Sequence, residues 1–243
     1  MRVIGLLFLV LLAPPISLQA QWDFTSSPFQ AERPMESISS SIVPAGQVQI
    51  EAGGYAQWYT PPDAQVPDFS YAVPIGLLRF GWKERVELRA GARWSQSLGE
   101  SQKAKLGLKW NAFTSQNGLG ISLNGEFETN ITQPLSWGNE IPMDLRLCID
   151  WNTFEKWDIR SNVKLYNGSL AWSAAAMRKT GRQGWSLMTE ANWLSRSGWN
   201  VHIGAFLAVQ ENSRFDFTYF RELHSELYQL RFGYSRRIIR TSN

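Results

Sequence analysis

Residues 86–94, Val-Glu-Leu-Arg-Ala-Gly-Ala-Arg-Trp, put Val86, Leu88, Ala90, Ala92 and Trp94 on even positions and Glu87, Arg89, Gly91 and Arg93 on odd ones. Successive side chains of an extended chain point to opposite faces, so the stretch reads as a strand with one apolar and one charged face. The split recurs at 103–112, where Ala104, Leu106, Leu108 and Trp110 oppose Lys103, Lys105, Gly107 and Lys109. It recurs again at 119–131, 143–151, 157–165 and 199–209. Less regular segments near 47–59, 69–82, 169–178, 185–195, 214–221 and 226–237 bring the total to about twelve strands. Turn signals separate them, among them Lys83 to Arg85, Gln116-Asn117-Gly118, Asn167-Gly168 and Glu211-Asn212. Connections this short predict an all-β, antiparallel up-and-down meander, and closure into a barrel removes both of its edges.

Composition narrows the setting. The 243 residues carry 44% hydrophobic and 19% charged side chains, 13% aromatics and twelve tryptophans. Mean hydropathy is nevertheless −0.26, too low for a polytopic helical membrane protein. Arg2, an apolar run from Val3 to Ala13 and a stretch ending at Ala20 have the layout of a cleavable export signal over residues 1–20. That run is too short to span a bilayer, which takes about 20 residues. One cysteine, Cys148, excludes an intramolecular disulfide and a Cys-based zinc site, and two histidines leave little for any metal. No cofactor is expected. A net charge of +3 with no basic run argues against a nucleic-acid partner.

Alternation alone does not say which face points outward: a soluble barrel turns its apolar face in, a membrane barrel turns it to lipid. Three features favour lipid. About twelve strands enclose a lumen too wide for apolar side chains to fill. The polar face mixes Lys, Arg, Glu and Asp with small Gly and Ser, as a hydrated interior would. Trp58, Trp82, Trp94, Trp110, Trp151, Trp157, Trp185, Trp193 and Trp199 fall at or near strand ends, where aromatic girdles meet the membrane interfaces. The longest connections, 60–68 and 132–140, are the first and fifth, on one side, whereas the second is tight. The domain reading is therefore a signal at 1–20, a periplasmic N-terminal segment or plug at 21–45, and a transmembrane β-barrel at 46–243 in the outer membrane of a Gram-negative cell. Its partners are outer-membrane lipid, the barrel-assembly machinery and a small-molecule solute.

Pro44-Ala-Gly46-Gln-Val-Gln49-Ile-Glu51-Ala-Gly53, followed by Leu77-Leu78-Arg79-Phe80-Gly81-Trp82-Lys-Glu-Arg85-Val-Glu87-Leu88-Arg89-Ala-Gly91, resembles the phenol-degradation meta-pathway family of outer-membrane "transporter" barrels, in a Bacteroidetes-type form. Glu32-Arg33-Pro34 resembles the acidic-Arg-Pro segment before that family's first strand. The match covers roughly residues 32–94. It implies a barrel that moves small compounds, hydrophobic or aromatic ones included. The chain departs from the usual terminal aromatic by ending Arg236-Arg237-Ile-Ile-Arg240-Thr-Ser-Asn243.

Parity puts Glu51, Arg79, Glu87, Arg89 and Arg93 on one polar face of the first three strands. Either these residues form a salt-bridge ladder that braces the barrel, or they form a selectivity constriction for a polar or anionic solute. Lys103, Lys105 and Lys109 add a basic strand, and Glu126, Glu128, Asp144 and Asp150 add acidic ones beside Arg146. This distribution predicts a basic and an acidic side with a transverse field between them. Arg33 is the candidate to dock in the lumen if 21–45 is a plug rather than a flexible lead-in. The expected function is a channel or uptake protein without turnover chemistry. The alternatives are a barrel enzyme acting on lipid and a nonconducting structural barrel. His224-Ser225 and inward His202 are the histidine sites an enzyme would need, but neighbours on a strand face opposite ways.

Overall fold

Twelve strands pair in sequence order and close on themselves, β1 to β12, every pairing antiparallel. They are β1 (Val48–Tyr59), β2 (Asp68–Lys83), β3 (Val86–Ser95), β4 (Lys103–Thr114), β5 (Leu119–Asn130), β6 (Met143–Phe154), β7 (Trp157–Tyr166), β8 (Ser169–Lys179), β9 (Trp185–Leu194), β10 (Gly198–Gln210), β11 (Ser213–Glu222) and β12 (Leu227–Ile238). The computed structural model describes residue 32 and residues 37–60, 66–95, 102–131, 142–154, 156–180, 184–195 and 198–238. The expected signal at 1–20 and Arg33 lie outside the described residues.

The two ends of the barrel differ. Connections at one end are 84–85, 115–118, 155–156, 180–184 and 211–212, and the chain enters β1 and leaves β12 there. This is the tight end. At the other end, 60–67, 96–102 and 131–142 are the longest connections, while Asn167-Gly168 closes β7 to β8 in two residues. Both of those residues have positive φ, 46° and 74°, the backbone a two-residue hairpin turn requires.

Side-chain direction follows the sequence period. Leu88, Leu106, Leu123, Phe127, Leu147, Ile149, Val163, Ile203 and Phe217 face out, whereas Glu87, Lys109, Ser122, Asn124, Asp144, Asp150, Asn162 and Thr218 are buried within. The barrel is therefore inverted relative to a soluble protein, with most of its apolar surface exposed and its interior polar. Water does not tolerate so large an apolar belt, and lipid hydrocarbon does. Tryptophans mark both rims. Trp172, Trp193 and Trp199 stand side by side across β8, β9 and β10 near the loop end, while Trp82, Trp151, Trp157 and Trp185 lie near the tight end.

Candidate functional site

The tight half of the lumen is filled by the chain's own N-terminal segment. Residues 37–43, Ser-Ile-Ser-Ser-Ser-Ile-Val, join no strand, yet their backbone is buried and must find partners. Side chains of the barrel wall supply them. The Ser37 N–H donates to Glu190 at 2.5 Å and the Ile38 N–H to Asn162 Oδ1 at 2.6 Å, while Asn162 Nδ2 returns a bond to the Ile38 carbonyl at 3.0 Å. The Ser39 hydroxyl and Ser40 N–H both donate to Asp150, at 2.6 and 2.7 Å. Asn111 donates to the Ser40 carbonyl at 3.2 Å and the Val43 N–H donates to Glu87 at 2.8 Å. Running from 37 to 43, the segment thus crosses the lumen from the β7–β9 wall to the β2–β3 wall. Small serines let the peptide come close enough for these bonds.

Two glycines of the wall make room. A Cβ on Gly81 would run into the carbonyl oxygens of Val43 and Pro44, and one on Gly120 would meet the Ser40 hydroxyl. Next to Gly81 the segment is also pinned by backbone: the Gly46 N–H donates to the Gly81 carbonyl at 2.7 Å, and the Gly81 N–H donates to Gln47 at 3.1 Å.

Beside the segment lies a buried ionic cluster centred on Glu32. Its carboxylate meets Arg89 Nη2 and Lys109 Nζ at 2.5 Å each and Arg79 Nη2 at 3.3 Å. Arg79 also pairs with Glu51 at 3.1 Å and Glu87 at 2.8 Å, and Arg89 with Glu87 at 2.8 Å and Glu126 at 2.7 Å. Four carboxylates thus meet three cations, and backbone and amide donors add further bonds to Glu51 and Glu87. The Glu32 N–H and Gln49 Nε2 both donate to Glu51, at 3.0 and 2.8 Å. Lys109 donates in addition to the carbonyls of Ser39 and Ser41. The cluster therefore ties β1–β5 to the segment as well as to one another.

Toward the loop end the lumen opens into two cavities of about 480 and 450 Å3 that share Phe220 and Arg231. Arg146, Lys164, Tyr166, Asn192 and Asn200 line the first, and Arg89, Arg93, Lys103, Lys105, Glu126 and Glu128 the second. The charges here pair locally. Lys103 and Lys105 reach Glu128 at 2.5 and 3.1 Å across the β4–β5 ladder, and Arg146 and Lys164 both reach Asp144 at 3.0 Å. This corrects the expectation of separate basic and acidic walls. The lysine strand and its first acidic neighbour are hydrogen-bonded partners, so the signs meet within one ladder instead of facing each other across the lumen.

The histidines enter other roles. His202, fully buried on β10, contacts Glu190 at 3.1 Å through Nδ1 and Asn192 at 3.3 Å through Nε2, and stands edge-on to Phe220. It thereby backs the carboxylate that receives Ser37. Ser225 bonds to Glu222, and the His224 ring sits against Gly198, so the two do not form a nucleophile–base pair. Among the described residues, no group of His, Cys, Asp and Glu side chains is placed to hold a metal ion. Sequence reading named most of the wall charges but missed Glu32 as the hub and Asn162 and Glu190 as anchors. Glu32 had a signal only in the acidic-Arg-Pro segment.

No model of a known protein family matches the chain, and no curated protein does. Solved structures resemble it in fold. The KdgM porin superposes with a TM-score of 0.59 at 10% identity, covering 77% of this chain and 98% of the porin. A second structure of that porin, in complex with disordered oligogalacturonate, gives 0.60 at 9% identity with the same coverage. An outer-membrane channel from Pseudomonas putida F1 gives 0.51 at 12% identity, over 82% of this chain and 97% of that one.

Proposed function

We propose that the chain is an outer-membrane channel for small solutes, with the tight half of its lumen occupied by residues 37–43. The observation that carries the reading is what fills the lumen. A Ser-rich segment held by wall side chains occupies it, not apolar packing of the wall itself. That segment belongs to no strand, so a path can open without breaking a single ladder bond of the barrel. The inward polar side chains would line the path and the apolar exterior would meet lipid. Similarity of fold to barrels described as a porin and as an outer-membrane channel supports the reading. Resemblance of residues 32–94 to the phenol-degradation meta-pathway family supports small hydrophobic or aromatic compounds as cargo. Insertion by the barrel-assembly machinery follows from the same placement.

The test is conductance in planar bilayers together with liposome swelling. The full chain is compared with a variant in which residues 37–43 are replaced by a Gly-Ser stretch of equal length. The expected result is a several-fold larger current in the variant, because seven residues of bonded peptide no longer cross the lumen. If neither protein passes ions or small sugars, the channel reading is overturned.

A further inference from the structure

The smaller loop-end cavity, about 450 Å3, has two unlike walls. Arg93, Lys103 and Lys105 stand on one side, and Tyr55, Leu77 and Phe220 supply apolar surface to the rest of the lining, where Arg231 stacks over the Phe220 ring at 5.3 Å. Arg93 is paired directly opposite Lys103 in the β3–β4 ladder, with Lys105 two residues along the same strand. Like charges opposed across a ladder repel, so the arrangement costs stability unless something negative lies against it.

The protein's own compensation is incomplete. Glu128 serves both Lys103 and Lys105 and also accepts a bond from the Tyr166 hydroxyl at 3.3 Å. Glu126 is taken by Arg89 at 2.7 Å. Arg93 has no ion-pair partner among the described residues, and its Nε is buried without a hydrogen-bond acceptor. A guanidinium offers a planar fork that matches a carboxylate with two parallel bonds. Donors left over in a cavity of this size are what a ligand carboxylate would satisfy, and small-molecule sites span about 300–1,000 Å3.

We propose that this cavity is a binding site for a small monocarboxylate with an apolar body. Its carboxylate is received by Arg93 and the two lysines, and its hydrocarbon or aromatic part lies toward Tyr55, Leu77 and Phe220. The inference rests on the channel reading, since it names the class of solute that enters from the loop end. The charged group sets orientation, and the apolar wall separates such a molecule from acetate or chloride.

Equilibrium dialysis of the full chain in detergent tests this with three probes: benzoate, benzyl alcohol, which keeps the ring without the charge, and acetate, which keeps the charge without the ring. Benzoate is expected to bind saturably and at least about tenfold more tightly than either of the others, because each of them loses one wall. Arg93→Gln should weaken benzoate about tenfold or more, and Glu128→Gln should strengthen it by freeing both lysines. A purely bracing role for these residues gives no such opposition of sign. Equal binding of benzoate and benzyl alcohol, or indifference to both substitutions, overturns the site. Benzoate binding of the expected pattern in a barrel that passes no current keeps the site and overturns the channel. Current without benzoate preference does the reverse.

Discussion

The two halves of the lumen use the same side-chain types to opposite ends. Near the tight turns, Arg79 and Lys109 are essentially inaccessible, at 1% and 0% exposure, and each meets several oxygens of Glu32, Glu51, Glu87 or the 37–43 backbone. Near the loops, Lys103 and Lys105 are 29% and 41% exposed and share a single carboxylate. Burial decides the difference. A charge withdrawn from water must have its full complement of partners, whereas a charge facing a hydrated cavity does not. The ionic cluster of the sealed half is consequently committed to itself and to the segment, whereas in the loop half two lysines share one carboxylate and Arg93 has no ion-pair partner among the described residues.

The sharpest way to break this contrast is to remove a cation from each half. Arg79→Ala leaves Glu51 and Glu87 buried together with Glu32 and takes away three ion pairs. The expected loss is about 3–5 kcal/mol, the usual cost of stranding a buried partner. Urea unfolding of the detergent-refolded barrel measures it. A loss below about 1 kcal/mol would mean that water already reaches the cluster and that the halves do not differ in kind.

A smaller effect isolates the segment from the cluster. Asp150 on β6 receives the Ser39 hydroxyl and the Ser40 N–H and is not itself a member of the ionic cluster around Glu32. Asp150→Ala should cost about 1.5–3 kcal/mol, the value of bonds to a charged acceptor. It should also raise single-channel current modestly, because the middle of the segment loses two of its bonds while those from Lys109 and Asn111 to the Ser39, Ser40 and Ser41 carbonyls remain and the cluster stays intact. Unchanged current with the expected destabilisation would assign closure to the cluster alone.

These residues also show where the sequence is readable. Alternation in 86–94 and 103–112 puts Glu87, Arg89 and Lys109 on the polar face, strand number and tryptophan placement turn that face inward, and hairpin-length turns set Lys105 and Glu128 on adjacent strands, where the structure pairs them. Strand parity and neighbour pairing are local, so they can be read along the chain. Contacts across the lumen are not local. Glu32 lies 77 residues from Lys109 and Ser37 lies 153 from Glu190, and no period links them. Ser37–Val43 reads as unpatterned polar sequence because its partners are side chains rather than a ladder. Gly81 and Gly120 likewise read as ordinary strand glycines until the peptide that packs on them is known.

The smallest effect is expected in the loop half, and its sign carries the information. Lys103→Gln removes a 2.5 Å ion pair with Glu128, a bond whose distance alone suggests strength. Yet Lys103 is part-exposed, so water screens the pair and its net worth is about 0–1 kcal/mol. Lys105 remains to hold Glu128 at 3.1 Å. Lys103 is also paired opposite Arg93, and removing it relieves a repulsion of comparable size. Urea unfolding should therefore show a change within about 0.5 kcal/mol of zero, and a small gain is as compatible with the contrast as a small loss. A loss near that of Arg79→Ala would show that the loop-half charges are buried and fully spent, leaving no surplus donors for an entering anion.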